Sequence, residues 1–369
     1  MLAIQTILRL CQVATILGLF GRSPKTRKNY SNRTCLDRIE SELKPMPMYA
    51  RSILPALFTV LLISSFSAAN AQSAEPIFQE KQCMREGWQR EVMQVAGLQR
   101  YVLWKAPAAV WPKGAIIVLH GGGGEYFQWC VANARLVRPQ VAFTKLAIEQ
   151  GFAVFLLNST DRITDNEGRS CGKIWDDEVR DRPNLDLPYI EAVIRKTIPS
   201  HRPPSSNRSI FLTGLSSGGY MTVRAATHFD NLITAFAPVS SGDPYGWHRI
   251  CDASLNKREN VHGAGYDNET GKQIIERNSC QSSAYPNEKP WDTSGTSSRP
   301  PYRVFRHDKD GINDRSCAMK VSKQLSAHGY PGEEDFVLNG WFRTISHHFW
   351  QEDYNQPILD FFAKHLEQK

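Results

Sequence analysis

The chain has 369 residues, of which 22% are charged and 41% are hydrophobic, and its formal net charge is +7. This length suits one large domain or two ordinary ones. Residues 1–71 carry nine of the 44 basic side chains and three of the 37 acidic ones, so the remainder carries 35 basic against 34 acidic. A nearly neutral remainder without a basic cluster excludes charge-driven binding to nucleic acid or acidic membranes as an expected role.

The N-terminal part is typical of a secretory signal peptide. Arg51 precedes a short apolar run over 53–63, and Ala69-Asn70-Ala71 matches the small-residue site at which such signals are cut. The apolar run is shorter than a membrane-spanning helix needs, so no stable membrane span is expected after cleavage. We therefore expect a secreted protein, in the extracellular medium or the periplasm.

This signal also sets the expected domain boundaries. Met46 and Met48 lie just before it, so we predict a signal peptide over 48–71. The segment 1–47 is then expected to be a non-native N-terminal extension. Residues 72–369 are predicted to form a single domain.

The cysteines agree with export. Six follow the signal peptide, an even number that fits three disulfides and allows fifteen pairings. Cys251 and Cys280 share one loop-rich stretch and are the pair that we favour. No C-x-x-C spacing occurs, which argues against a zinc or redox site, and no metal or cofactor is predicted. The six are Cys83, Cys130, Cys171, Cys251, Cys280 and Cys317.

From residue 72 onward, short apolar runs alternate with amphipathic segments, which is typical of an α/β fold. Continuous apolar runs indicate strands covered on both faces, hence a mostly parallel central sheet with helices on both sides. The predicted strands cover 101–104, 115–119, 153–157, 210–213, 234–238, 302–305 and 335–338. The predicted helices cover 145–150, 187–198, 317–328 and 357–366.

A glycine run, His120-Gly121-Gly122-Gly123-Gly124, directly follows the strand predicted at 115–119. Such an H-G-G-G loop lets a backbone N–H approach an oxyanion formed in acyl transfer. A phosphate-binding loop is the competing interpretation, but the required Lys-Ser or Lys-Thr does not follow. We predict that Gly121 and Gly122, with the N–H of Ser217, form an oxyanion hole.

The most informative motif is Gly214-Leu215-Ser216-Ser217-Gly218, which lies between a predicted strand and a predicted helix. G-x-S-x-G at a strand-to-helix turn is the nucleophile elbow of serine hydrolases. It predicts Ser216 as a catalytic nucleophile.

One region lacks periodicity. Residues 242–301 are polar and rich in Ser, Asn, Asp, Gly and Pro. A loop of this length is unusual unless it is functional or tethered. We interpret it as an insertion over the active-site edge, before the acid-bearing strand, tethered by a Cys251–Cys280 disulfide; a surface loop without function is the alternative.

A serine nucleophile needs an orienting acid and a base, which follow it along the chain in this fold class. The strand at 302–305 leads to Asp308 and Asp310, of which we favour Asp310 and keep Asp308 in reserve. The loop before the last helix carries His347 and His348, of which we favour His348 and keep His347 in reserve.

Three motifs resemble the polyhydroxybutyrate depolymerase and feruloyl esterase group of secreted α/β-hydrolases. They are Leu119-His120-Gly121-Gly122, Gly214 to Thr222, and His348-Phe349-Trp350, which look like the L-H-G, G-L-S-x-G-G-x-M and G-H-x-W patterns of that group. The resemblance implies an α/β-hydrolase fold with Ser216, Asp310 and His348 as its triad. Two motifs depart from the pattern: His347 replaces the glycine before the base, and 307–310 replaces H-G-T-x-D.

The expected function is that of a secreted serine carboxylesterase. The resemblance implies soluble polyhydroxyalkanoate oligomers or feruloyl and acetyl esters of polysaccharides as substrates. A prolyl-oligopeptidase-like serine peptidase and a non-catalytic secreted binding protein on the same fold are the alternatives. The oligomeric state and the acyl and alcohol specificity stay open at this stage.

Overall fold

The computed structural model describes residues 75–164, 170–177, 183–245, 265–266, 273–274, 291, 299–313, 315–340 and 345–367. Its twelve strands are β1 (Gln89–Val95), β2 (Leu98–Lys105), β3 (Ala115–Leu119), β4 (Ala153–Leu157), β5 (Thr160–Thr164), β6 (Ser170–Ile174), β7 (Ile210–Leu215), β8 (Ala235–Val239), β9 (Gly265–Tyr266), β10 (Gln273–Ile274), β11 (Phe305–His307) and β12 (Phe336–Leu338). Its α-helices are α1 (Phe78–Arg85), α2 (Arg138–Glu149), α3 (Leu187–Ala192), α4 (Ile198–His201), α5 (Ser217–His228), α6 (Arg315–Ala327) and α7 (Asn355–Lys364).

Eight of the strands form one sheet in the order β1-β2-β4-β3-β7-β8-β11-β12. Strand β2 is antiparallel to both β1 and β4, and all other neighbouring pairs are parallel. Parallel neighbours end at the same edge, so the loops after β3, β7, β8 and β11 meet there. Outside this sheet, β5 pairs with β6 and β9 with β10, both antiparallel.

The central strands are buried on both faces, as predicted from their continuous apolar runs. In β3, Ile117 belongs to a core on one face of the sheet, and its neighbours Ile116 and Val118 belong to a core on the other. Helices α3, α5 and α6 cover the first face, and α2 and α7 cover the second. The predicted fold class, a mostly parallel sheet with helices on both faces, is confirmed.

The element boundaries differ from prediction in several places. The helix predicted at 187–198 runs on to His201, because a π-helical turn over Val193–Thr197 lets the chain continue through Pro199. Helix α2 begins earlier than predicted, with Pro139 in its first turn, where a missing N–H has no consequence. The strand predicted at 302–305 contributes β11 only from Phe305 onward.

A disulfide joins Cys83 in α1 to Cys130, which follows a 3-10 helix over Tyr126–Trp129. The buried Glu80 carboxylate reinforces this contact, because it accepts a hydrogen bond from the Tyr126 hydroxyl and forms an ion pair with Arg90, whose Nε lies 2.9 Å from it. Burial and the Glu80 charge raise the pKa of Tyr126, so its hydroxyl remains a donor. The predicted Cys251–Cys280 pair, and with it the tether of the 242–301 insertion, lies outside the described residues.

Candidate active site

Ser216 occupies the turn between β7 and α5, with a backbone φ of 55° and ψ of −119°. A positive φ is rare for a residue other than glycine and persists only where neighbouring structure holds it. Here the Ser216 N–H donates to the Val239 carbonyl at 2.9 Å, and the Ser216 carbonyl accepts from Tyr220 N–H at 2.9 Å. Ser216 therefore lies at the carboxyl edge of the sheet in the conformation of a nucleophile elbow.

The motif glycines are explained by close backbone contacts. A Cβ added at Gly214 would lie 2.4 Å from the Gly218 carbonyl oxygen. A Cβ added at Gly218 would lie 2.4 Å from the carbonyl oxygens of both Leu119 and His120. Glycine at these two positions allows β7, α5 and the end of β3 to approach one another around Ser216.

His348 and Asp310 form a buried pair. His348 Nδ1 lies 2.8 Å from Asp310 Oδ2, and the two residues are 5% and 4% exposed. The other carboxylate oxygen, Oδ1, accepts from the N–H groups of Ile312 at 2.7 Å and Asn313 at 2.9 Å. Because three donors face this carboxylate, it is held in place, and a neutral His348 that donates from Nδ1 has Nε2 as the acceptor nitrogen of its ring.

The loop that bears Asp310 contacts the helix that starts at Ser216. The Tyr220 hydroxyl, in the first turns of α5, donates to Asn313 Oδ1 at 3.0 Å. The sheet supports this contact, because β11 pairs with β8 and the N–H of Ser240 donates to the Phe305 carbonyl at 2.9 Å. Ser216, Asp310 and His348 thus come from the same edge of the sheet.

The reserve residues face other partners. Asp308 donates its backbone N–H to the Leu338 carbonyl at 2.7 Å, and its carboxylate lies 3.5 Å from Lys309 Nζ. The His347 ring stacks on His307, with 3.8 Å between the ring centroids and 5° between the planes. Burial and the neighbouring His347 lower the pKa of His307, which favours the neutral form of His307.

The glycine loop after β3 lies beside the elbow. A Cβ added at Gly121 would lie 3.5 Å from the Leu215 carbonyl oxygen, and one added at Gly122 would lie 3.7 Å from Ser217 Cβ. Gly121 and Gly122 therefore flank the residues on either side of Ser216. Among the described residues, neither the Gly122 N–H nor the Ser217 N–H donates to a backbone carbonyl in a turn, loop or cap. Ser217 is the first residue of α5, and the first N–H groups of a helix have no acceptor within the helix.

His120 anchors this loop and is not available as a base. It is fully buried; its Nε2 accepts from Ser159 N–H at 3.1 Å and its Nδ1 donates to the Gly121 carbonyl at 2.7 Å. Burial lowers the pKa of His120 to about 4, so the ring is neutral at physiological pH. The sequence motif singled out this histidine, but its role as a neutral anchor is visible only in the structure.

No protein family model matches this chain, and no curated protein matches it either. Solved structures with a similar fold include a thermostable esterase (16% identity, TM-score 0.46, 76% of this chain and 64% of that one). Est1E from Butyrivibrio proteoclasticus is similar at 15% identity and TM-score 0.45, over 75% of this chain and 98% of that one. The Pyrococcus horikoshii acylaminoacyl peptidase is similar at 14% identity and TM-score 0.46, over 76% of this chain but only 42% of the peptidase.

Likenesses of this degree carry no weight for function, and the chain's own topology decides the fold. Among the described residues, the main sheet has eight strands, and β2 alone runs opposite to the rest. A strained serine follows β7, the fifth of these strands along the chain. The chain has the α/β-hydrolase fold. Membership of the polyhydroxybutyrate depolymerase and feruloyl esterase group stays a prediction.

Within this α/β-hydrolase fold, Trp350 has a role that sequence reasoning missed. Its ring is 1% exposed and packs against Trp129, with 4.8 Å between the ring centroids, and against Phe143 at 5.1 Å. Its indole N–H donates to Asn355 Oδ1 at 2.7 Å. Because Trp350 follows His348 by two residues, this buried ring holds the turn that carries the histidine. The H-x-W spacing was the available signal.

Two searches of the described residues bear on other kinds of site. No group of three or more His, Cys, Asp or Glu side chains in that part of the chain is arranged to hold a metal ion. In the same part of the chain, none of the helices has the length and apolar character needed to span a bilayer.

Proposed function

We propose that this protein is a serine carboxylic-ester hydrolase in which Ser216 is the nucleophile, His348 the general base and Asp310 the residue that orients the base. The observation that carries the proposal is the buried Asp310–His348 pair, at 2.8 Å, on the sheet edge where Ser216 adopts its strained turn. A serine, a histidine and a carboxylate in these roles define acyl-transfer catalysis on many folds.

The mechanism follows from these groups. His348 Nε2 takes the Ser216 hydroxyl proton as Oγ attacks the ester carbonyl carbon. The tetrahedral intermediate collapses, the alkoxide leaves with the proton from His348, and an acyl group remains on Ser216. Water then loses a proton to His348 and attacks the acyl carbon to give a second tetrahedral intermediate. When this intermediate collapses, the bond to Ser216 Oγ breaks, His348 returns the proton to Ser216, and the acid is released. Asp310 holds the imidazole in the tautomer that this cycle requires.

The intermediate needs donors for its oxyanion. We assign this role to the N–H groups of Gly122 and Ser217, with Gly121 shaping the loop. The start of α5 at Ser217 adds the positive end of a helix dipole. Loss of one such donor typically costs about 10²–10³ in rate, so the geometry of this loop is expected to limit kcat.

The proposed substrates are soluble polyhydroxyalkanoate oligomers or feruloyl and acetyl esters of polysaccharides, and the motif resemblance supports them. A serine peptidase uses the same triad, so preference between esters and amides separates the two. A binding protein on this fold would need no reactive Ser216, whereas here the residue keeps the strained conformation that exposes a nucleophile.

Turnover of short-chain nitrophenyl esters and methyl ferulate by the full chain, produced under oxidising conditions, tests the proposal. We expect Ser216→Ala to reduce kcat by about 10⁴-fold or more, with an unchanged fold. Ser217 and the neighbouring glycines stay intact in this variant. Ester turnover that survives in Ser216→Ala, or a wild type that cleaves only amides, would refute the assignment as an esterase.

We also propose that the protein is exported. The Cys83–Cys130 disulfide supports this, because disulfides persist in oxidising compartments. Mass spectrometry of the protein recovered from its host tests it: cleavage after Ala71 gives an N-terminus at Gln72, and an intact N-terminal segment contradicts export by this signal.

A further inference from the structure

One short segment, residues 173–177, contacts both sides of the proposed oxyanion hole. On the loop side, Gly123 N–H donates to the Lys173 carbonyl at 2.7 Å, and the Trp175 indole N–H donates to the His120 carbonyl at 2.8 Å. On the helix side, the backbone N–H of Trp175 donates to Ser217 Oγ at 3.3 Å. The same segment therefore binds the glycine loop and the first residue of α5.

The Ser217 side chain has its direction set by this segment. Its Oγ accepts from Trp175 N–H and donates to Asp177 Oδ2 at 2.9 Å. Ser217 and Asp177 are each 1% exposed, so bulk water does not compete for these bonds. A hydroxyl that both accepts and donates in a buried site has a fixed rotamer, which in turn fixes the backbone that carries it.

The position of these bonds matters because the two oxyanion-hole donors come from separate parts of the chain. Gly122 belongs to the loop after β3, whereas Ser217 begins α5, and both lie beyond the β3–β7 pairing, which ends at Leu119 and Gly214. Ile174 fills the space beside them, since its Cδ1 lies 3.5 Å from the position of a Cβ added at Gly122. Donors must lie within a few tenths of an ångström of their best positions, and a displacement of about 1 Å can cost about 10²-fold in rate.

We propose that Trp175 and Asp177 are positioning residues that set the distance between the N–H groups of Gly122 and Ser217. Trp175 acts through the His120 carbonyl and the Ser217 hydroxyl, and Asp177 acts through the Ser217 hydroxyl. The proposal rests on the proposed function, because it concerns the oxyanion hole of that reaction.

The test combines three truncations with one conservative change. Trp175→Phe removes the indole N–H and keeps an aromatic ring, Asp177→Ala and Ser217→Ala remove the two ends of the hydroxyl bond, and Asp177→Asn keeps an acceptor oxygen. We expect the truncations to lower kcat about 10- to 100-fold with KM changed less than about threefold. Asp177→Asn is expected to lie nearer the wild type than Asp177→Ala.

Two further readouts separate positioning from a general structural role. Affinity for a phenylboronic acid, which forms a tetrahedral adduct with the serine, should weaken by about the same factor as kcat. The Ser217→Ala/Asp177→Ala double variant should cost clearly less than the sum of the two single losses, because both single variants break the same Ser217–Asp177 bond. Thr227→Val is the matched control, because it deletes a buried hydroxyl from the same helix. This hydroxyl is hydrogen-bonded to the Val223 carbonyl and the Tyr245 hydroxyl. In this variant kcat should change less than twofold.

Each outcome decides the matter. Folded Trp175→Phe and Ser217→Ala variants with wild-type kcat would overturn the proposal while leaving the esterase intact. An equal loss in Thr227→Val, or additive losses in the double variant, would show a general structural effect and also overturn it. Fluorophosphonate labelling of Ser216 in the wild type keeps the two proposals distinct: labelling without ester turnover refutes only the esterase, and labelling rates then replace kcat. No labelling refutes both.

Discussion

Removal of the Cys83–Cys130 disulfide is expected to destabilise the protein strongly and to affect turnover little. The two cysteines are 47 residues apart. A cross-link that closes a loop of this length lowers the entropy of the unfolded chain and so raises the free energy of unfolding by about 4 kcal/mol at 25 °C. For a domain of this size, a loss of this magnitude lowers the melting temperature by roughly 10 °C. The disulfide lies beyond the 3-10 helix that follows the glycine loop, so kcat at 25 °C should change less than about threefold.

The measurement is thermal and urea unfolding of the wild type and of Cys83→Ala/Cys130→Ala, each with and without a reducing agent. The substitutions also remove two buried side chains, whereas reduction of the wild type breaks the cross-link alone. The double variant serves as the control for other disulfides, because any effect of reductant that it shares with the wild type arises elsewhere. A difference of less than about 1 kcal/mol between oxidised and reduced wild type, after that correction, would refute the loop-entropy argument.

The remaining predictions concern histidines and carboxylates. The pKa of His120 is lowered to about 4 in the folded state, below its unfolded value of about 6.5, so between these pH values the unfolded state binds more protons. The contribution of His120 to the free energy of unfolding is therefore complete above pH 6.5 and falls by about 3 kcal/mol toward pH 4. Urea unfolding midpoints measured across this pH range should fall accordingly, and a flat response would refute the argument. Asp310→Asn should lower kcat at least about 10³-fold and Asp308→Asn less than about threefold; equal losses contradict the assignment. His348→Ala should abolish ester turnover, whereas His347→Ala, which removes a ring stacked on His307 and a contact with the Lys309 carbonyl, should retain at least about a tenth of it. The reverse order would make His347 the base.

Much of the fold was predictable because it depends on local patterns. The apolar runs at 115–119 and 153–157 coincide with β3 and β4, since strands covered on both faces need continuous apolar sequence. Strands β1, β5 and β6 were not predicted, because they are not covered on both faces. Strand β1 is mostly half-buried, and β5 and β6 lie outside the main sheet, so none of them requires an apolar run.

The candidate site divides in the same way. The sequence by itself indicated candidates for a nucleophile, a glycine loop, an acid and a base along the chain. The nucleophile is the clearest of them, because its tight turn requires glycine at Gly214, against the Gly218 carbonyl, and at Gly218, against the end of β3. It favoured Asp310 over Asp308 and His348 over His347, with the second member of each pair kept in reserve.

Only the tertiary structure decided which members of those pairs meet. Neighbouring side chains in a loop or a short helix point in different directions, so residues two positions apart reach different partners. Asp310 reaches His348, whereas Asp308 reaches Lys309. The Cys83–Cys130 bond and the Trp175–Ser217–Asp177 contacts arise likewise from chain segments about 40 residues or more apart in sequence. Local sequence patterns carry no information about such distances, because the packing of the whole sheet and its helices sets them.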